Sequence, residues 1–172
     1  MKRLTILRHA KSSWKDRELE DFDRPLNARG RKAARLVGHE MTRRGMRFDS
    51  VLASPAVRIR ETIDGVSEGH ELPGPIRFEP RIYEARVSEL LELVGTLPDE
   101  ARSALLVCHN TSAERLVLKL AKDDERGLRK RVEDKFPTAA LAAIELPIDR
   151  WSEVQPGSGA LVELIYPADL ED

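Results

Sequence analysis

A chain of 172 residues, 41% of them apolar, is long enough to bury one substantial core and fits a single domain spanning residues 1–172. Charged residues make up 34%, but the signs cancel to a formal net charge of −1, so bulk attraction to nucleic acid is not expected and any cationic patch must be local. No apolar run approaches the roughly 18 residues of a bilayer span, the N-terminal apolar stretch is too short for a signal-peptide core, and the lone Cys108 excludes an intrachain disulfide. The expectation is a soluble cytoplasmic protein without a membrane partner.

Taken in chain order, residues 4–7 form a short apolar run suited to a buried central strand. A polar loop over 11–27 leads past Pro25 into a helix over 29–43, with Ala33, Leu36, Val37 and Met41 on one face and Gly45 closing it. Residues 50–53 read as a second strand. Ser54-Pro55 offers an N-cap and a first-turn proline for a helix through Val66. A connector rich in Gly and Pro precedes a weak strand at 76–78, and Ser88 caps a helix carrying Leu90, Leu91, Leu93 and Val94. Residues 104–108 give the strongest buried-strand signal, followed by a helix with Leu116, Val117 and Leu120 on one face. Residues 122–135 are charged and read as a solvated segment. The apolar runs 139–146 and 161–166, separated by Pro156-Gly157-Ser158-Gly159, suit a hairpin at a sheet edge. Alternating strands and helices predict an α/β fold: a three-layer sandwich with a mostly parallel sheet and an antiparallel edge.

Three strand ends carry residues with chemistry. Arg8-His9 follows the first strand, Arg58 lies in the helix after the second, and His109 follows 104–108. In parallel sheets the carboxyl ends of strands line the ligand crevice, so two imidazoles and two guanidiniums should meet there. Guanidiniums suit phosphoryl oxygens, and a neutral imidazole can attack phosphorus to form a covalent phosphoenzyme. No His-x-x-x-His pair is present and one Cys cannot build a Cys–His cluster, so neither a metal nor another cofactor is expected.

Four ordered segments make the chain resemble the SixA-type phosphohistidine phosphatases of the histidine phosphatase superfamily. Leu7-Arg8-His9-Ala10-Lys11-Ser12-Ser13-Trp14 resembles the opening motif, with Ala10 where the superfamily has glycine. Asp23-Arg24-Pro25-Leu26-Asn27 with Gly30 resembles the next element. The segment Ser54-Pro55-Ala56-Val57-Arg58-Ile59-Arg60-Glu61-Thr62 resembles a third, and Leu106-Val107-Cys108-His109-Asn110 the second-histidine motif. The resemblance implies a phosphoglycerate mutase-like fold, His9 as nucleophile, and Arg8, Arg58 and His109 completing a phosphate pocket. It assigns the phosphate arginine to Arg58 rather than Arg60, and offers Glu84, by position, as proton donor. Asn110-Thr111-Ser112 departs from the family's frequent Asn-Pro-Gly.

The implied activity is phosphatase chemistry through phospho-His9 on a phosphohistidine-bearing protein. Alternatives are a phosphatase for a small phosphorylated metabolite and a non-catalytic phosphate-binding regulatory module. Ordinary readings cover the remaining candidates: His39 and His70 as surface residues, Arg60 as a solvated helix position, Ser54 as a cap only, Cys108 as a buried strand-end residue, and Lys135 to Thr138 as a strand-entry turn.

Overall fold

The computed structural model describes residues 1–171. Its strands are β1 (Lys2–Arg8), β2 (Ser50–Ala53), β3 (Arg77–Phe78), β4 (Ser103–Cys108), β5 (Leu141–Leu146) and β6 (Ala160–Ile165). They form one sheet in the order β3-β2-β4-β1-β5-β6. β3, β2, β4 and β1 run parallel, whereas β5 pairs antiparallel with both β1 and β6. The expected parallel sheet with an antiparallel hairpin at one edge is therefore present, and the fold is α/β and phosphoglycerate mutase-like.

The helices are α1 (Ala28–Arg43), α2 (Val57–Gly69), α3 (Val87–Val94), α4 (Ser112–Leu120) and α5 (Leu128–Asp134). Alternation along each strand assigns the two faces, because successive side chains point to opposite sides. Leu4 and Ile6 of β1, with Leu106 and Cys108 of β4, join the core under α3, α4 and α5. Leu7, with Leu105 and Val107, joins the core under α1 and α2. Both faces are apolar because both are covered, as parallel strands require.

The buried stripe of α1 is Gly30, Ala34, Val37, Gly38 and Met41 rather than the expected Ala33, Leu36, Val37 and Met41. The two glycines explain the rotation. A Cβ at Gly38 would lie 2.2 Å from the Val66 carbonyl oxygen, so glycine lets the α1 and α2 backbones approach closely. α2 begins at Val57 with Ala56 at its cap, which places Ser54-Pro55 before the helix and not in its first turn. The 122–135 segment is only partly solvated, since α5 lies within it and Val132 is fully buried.

Candidate active site

β1 and β4 are adjacent and parallel with Arg8 opposite Cys108, so His9 and His109 leave the sheet side by side. Their ring centroids are 5.4 Å apart, and both rings are buried. His9 Nδ1 is 2.7 Å from the Ala10 carbonyl oxygen. A carbonyl can only accept, so Nδ1 carries the proton and Nε2 keeps its lone pair. Burial, chiefly, pushes the His9 pKa down to about 4, and the nearby Arg58 and Arg8 charges lower it further. At neutral pH the ring is an uncharged imidazole.

His109 Nε2 lies 2.8 Å from Ser54 Oγ. Ser54 Oγ also accepts from the Ala56 N–H at 3.3 Å and keeps both a proton and a second lone pair to offer His109 Nε2. The other ring nitrogen, Nδ1, is a buried atom with no partner among the described residues. Burial, then the His9 and Arg58 charges, pull the His109 pKa down to about 3. Ser54 is thus a fully buried partner of His109, which corrects its reading as a cap only.

α2 supplies more than an arginine. Arg58, Glu61 and Thr62 fall at i, i+3 and i+4, on one helical face. Thr62 Oγ1 donates to the Arg58 carbonyl at 2.6 Å and accepts from the Ala10 N–H at 3.0 Å, which ties the loop after His9 to the helix. Glu61 Oε1 accepts the Leu26 N–H at 2.7 Å, anchoring the far end of that loop. Arg58 Nη1 donates to the Asp21 carbonyl at 2.8 Å and Nη2 to Asp21 Oδ2 at 3.0 Å. Arg8 Nη1 donates to the Phe136 carbonyl at 2.9 Å, and its buried Nε has no partner among the described residues.

The structure brings together the four residues anticipated from sequence and adds Asp21 and Tyr83 to them. Tyr83 stacks edge-on against His109 at 5.4 Å, lies 6.0 Å from the Arg58 guanidinium, and donates to Asp21 Oδ2 at 2.6 Å. That hydrogen bond, with the Arg58 ion pair, holds the Asp21 carboxyl below its ordinary range. Burial and the Asp21 charge push the Tyr83 hydroxyl up to about 12. Neither residue carried a motif signal beyond Asp21 preceding the Arg24-Pro25-Leu26 element. Glu84 is exposed, with φ of 60°, and its neighbour Tyr83 enters the site.

Arg60 is exposed and stacks on Phe78, its guanidinium 4.0 Å from the ring. Exposed His39 and half-buried His70 belong to the α1–α2 surface, where Thr42 Oγ1 is 2.8 Å from His70 Nδ1. Cys108 is fully buried, which pushes its thiol up to about 12. Among the described residues no group of three or more His, Cys, Asp or Glu is arranged to hold a metal ion, and no helix is long and apolar enough to cross a membrane.

Comparison with known proteins follows the same residues. The sequence profile of the histidine phosphatase superfamily (branch 1) matches residues 4–93, which include Arg8, His9 and Arg58. The chain belongs to the histidine phosphatase superfamily. It is 32% identical to the uncharacterized protein Rv1276c of Mycobacterium tuberculosis over 94% of this chain and 99% of that one. Among solved structures, the protein assigned as the phosphohistidine phosphatase SixA of Agrobacterium tumefaciens superposes with a TM-score of 0.79 at 28% identity, covering 96% and 98% of the two chains. The mycobacterial glucosyl-3-phosphoglycerate phosphatase Rv2419c shares the fold, with a TM-score of 0.63 at 15% identity over 94% and 97%. This histidine phosphatase is a hydrolase of the SixA type by family and fold.

Proposed function

We propose that this histidine phosphatase removes phosphoryl groups from phosphohistidine in a protein, through a covalent phospho-His9 intermediate and without a metal ion or other cofactor. The observation that carries the reading is the His9 tautomer: Nδ1 is committed to the Ala10 carbonyl, and Nε2 keeps its lone pair beside Arg8, Arg58 and His109. In the first step His9 Nε2 bonds to phosphorus as the P–N bond to the substrate imidazole breaks, and that imidazole leaves with a proton from solvent. In the second, water attacks phospho-His9, releasing phosphate and restoring the His9 lone pair.

The protein leaves donors for the phosphoryl oxygens. Arg8 Nε and His109 Nδ1 (a donor when the ring proton sits there) have no partner among the described residues, and Arg58 can turn both terminal nitrogens from Asp21 to the incoming dianion. Preorganised donors of this kind stabilise transition-state charge without reorganisation, the role a metal ion fills in other phosphatases. A phosphohistidine also suits a site that, among the described residues, holds no neutral carboxylic acid, because Asp21 is held ionised and Glu84 is exposed. An imidazole leaves readily near neutrality, whereas an alkoxide needs a positioned acid worth roughly 10²–10⁴-fold in rate. A cytoplasmic location belongs to the same reading, since the lone cysteine stays a buried thiol.

The test is rapid quenching of the enzyme with a ³²P-phosphohistidine peptide, before and after exhaustive chelation. The expected result is an acid-labile, base-stable label on His9, lost in His9→Ala, with turnover unchanged by chelation. Label on Cys108 or a serine, or activity restored only by added metal, refutes the mechanism. Faster hydrolysis of an alkyl phosphate than of the phosphohistidine peptide would hand the site to a small metabolite.

A further inference from the structure

A cavity of about 380 Å³ opens beside the catalytic loop, lined by Lys11, Arg29, Lys32 and Lys135 over a floor that includes Pro137 and Tyr166. Its position follows from the chain. Lys11 is two residues beyond His9, so their Cα atoms are no more than about 7 Å apart. Lys135 precedes Phe136, whose carbonyl holds Arg8. Thr138, also at the rim, precedes Ala139, whose N–H donates to the His9 carbonyl at 2.9 Å. The groove therefore borders the backbone segments that hold Arg8 and His9 in place.

Its cations are concentrated on one concave face and largely unpaired. At the opposite end of the sheet Arg3 is paired with Glu145 and Glu163, and Arg44 with Glu40 and Glu163. In the groove, Lys11, Arg29 and Lys135 have no ion-pair partner among the described residues, and Lys32 reaches only Glu171, at 3.9 Å. Among the described residues, four exposed cations face one carboxylate there and repel one another. The concave shape and the proline and tyrosine floor suit a chain segment with an apolar contact as well as charge.

We propose that this groove is a docking site for an acidic segment of the protein substrate, flanking the phosphohistidine that enters the catalytic pocket. The inference rests on the phosphohistidine reading above and adds a substrate class to it: phosphohistidine proteins with Asp or Glu clustered within a few residues of the modified histidine. The groove raises the local concentration of such substrates and orients them, so its effect falls on KM more than on kcat and weakens as salt screens the charges.

The double variant Arg29→Glu/Lys32→Glu tests this, with Arg47→Glu at the opposite end as a charge-reversal control. Both groove positions are exposed and lie in the first two turns of α1, near the helix end where a negative charge suits the dipole, so the variant should fold. Three substrates are compared: a phosphohistidine peptide flanked by four Glu, the same peptide flanked by Gln, and p-nitrophenyl phosphate. The expected result is a tenfold or greater rise in KM for the Glu peptide, under threefold for the other two, and no change in Arg47→Glu. Fluorescence anisotropy with the unphosphorylated Glu peptide should show binding that the double variant and added salt weaken to the same extent; this readout needs no catalysis. Binding without hydrolysis of any phosphohistidine peptide would refute the function proposed above and leave an acidic-segment site. Hydrolysis with no Glu-over-Gln preference and no peptide binding would refute the docking site alone. A loss confined to a fourth, small substrate assayed alongside them, 3-phosphoglycerate, which carries a carboxylate beside a phosphoester, would show that the groove serves a small substrate, and would also overturn the inference.

Discussion

An imidazole attacks phosphorus well only if it is neutral, correctly tautomerised and unable to rotate, and each condition here depends on a partner outside the four-residue cluster. Ser54 orients His109, so Ser54→Ala should leave a buried nitrogen unpaired and cost about 1–2 kcal/mol, roughly 5–30-fold in kcat on p-nitrophenyl phosphate. An unchanged kcat would reduce Ser54 to a packing residue. Arg58→Ala should cost on the order of 2–4 kcal/mol of transition-state stabilisation, and Arg60→Ala much less, because Arg60 lies over Phe78 on the surface. Equal losses would reassign the phosphate arginine. Asp21 competes with a bound dianion for Arg58, so Asp21→Asn, which keeps an acceptor but removes the charge, should tighten tungstate inhibition several-fold. Arg8, His9, Arg58 and His109 were legible because each follows a strand or opens a helix within a recognisable segment. Asp21 and Tyr83 were not, because they meet Arg58 by the folding of two loops, 37 and 25 residues away in the chain, and loop closure leaves no periodic signature.

At the scale of elements, the chain wrote its strands plainly and its helix faces less so. β1, β2 and β4 centre on short apolar stretches, broken only by Thr5 in β1, because both faces of the sheet are covered, and the hairpin β5–β6 carried its turn residues between two largely apolar runs. What sequence patterning could not supply was the role of small residues where backbones touch. Apolar periodicity favoured Ala33 and Leu36, whereas glycines set the buried face of α1. A Cβ at Gly30 would lie 2.1 Å from the Lys11 carbonyl oxygen, against the loop that fixes His9, and one at Gly38 would meet the α2 backbone. Gly38→Ala should therefore overpack the α1–α2 contact by about 1–3 kcal/mol, lowering Tm by roughly 2–12 °C. Its kcat below the new Tm should stay near wild type. Gly30→Ala should lose Tm and kcat together, because the displaced backbone continues into Ala10 and His9. Calorimetry paired with p-nitrophenyl phosphate kinetics separates the two; equal kcat losses would show that α1 does not position the catalytic loop independently of its packing on α2.

For the whole molecule, burying two neutral histidines at a phosphate site makes folding sensitive to mild acid. His9 and His109 titrate in the folded state near 4 and near 3, against about 6.5 in an unfolded chain. Above pH 6.5 neither state binds these protons, and stability is insensitive to them. As pH falls through 6.5 the unfolded chain takes up both protons and the folded chain neither, so stability falls with decreasing pH, by at most about 2.7 kcal/mol per unit for two protons. Carboxylates held below their ordinary range, such as Asp21 and Glu40 (the latter at about 2), lose their contribution only below about pH 4.5. The interval from pH 6.5 to 4.5 therefore reports the histidines, with half-buried His70, also shifted down by burial, contributing in the same direction. Urea unfolding at pH 7.5 and pH 5.0 should show a loss of about 2–4 kcal/mol in the wild type, most of it absent from His9→Gln/His109→Gln even if that variant is less stable at pH 7.5. The same acid sensitivity in wild type and double variant would mean that the two rings are solvated enough to protonate in place. His9 would then carry charge near neutrality, and the lone pair required for attack on phosphorus would be scarce at the pH where a phosphatase must work.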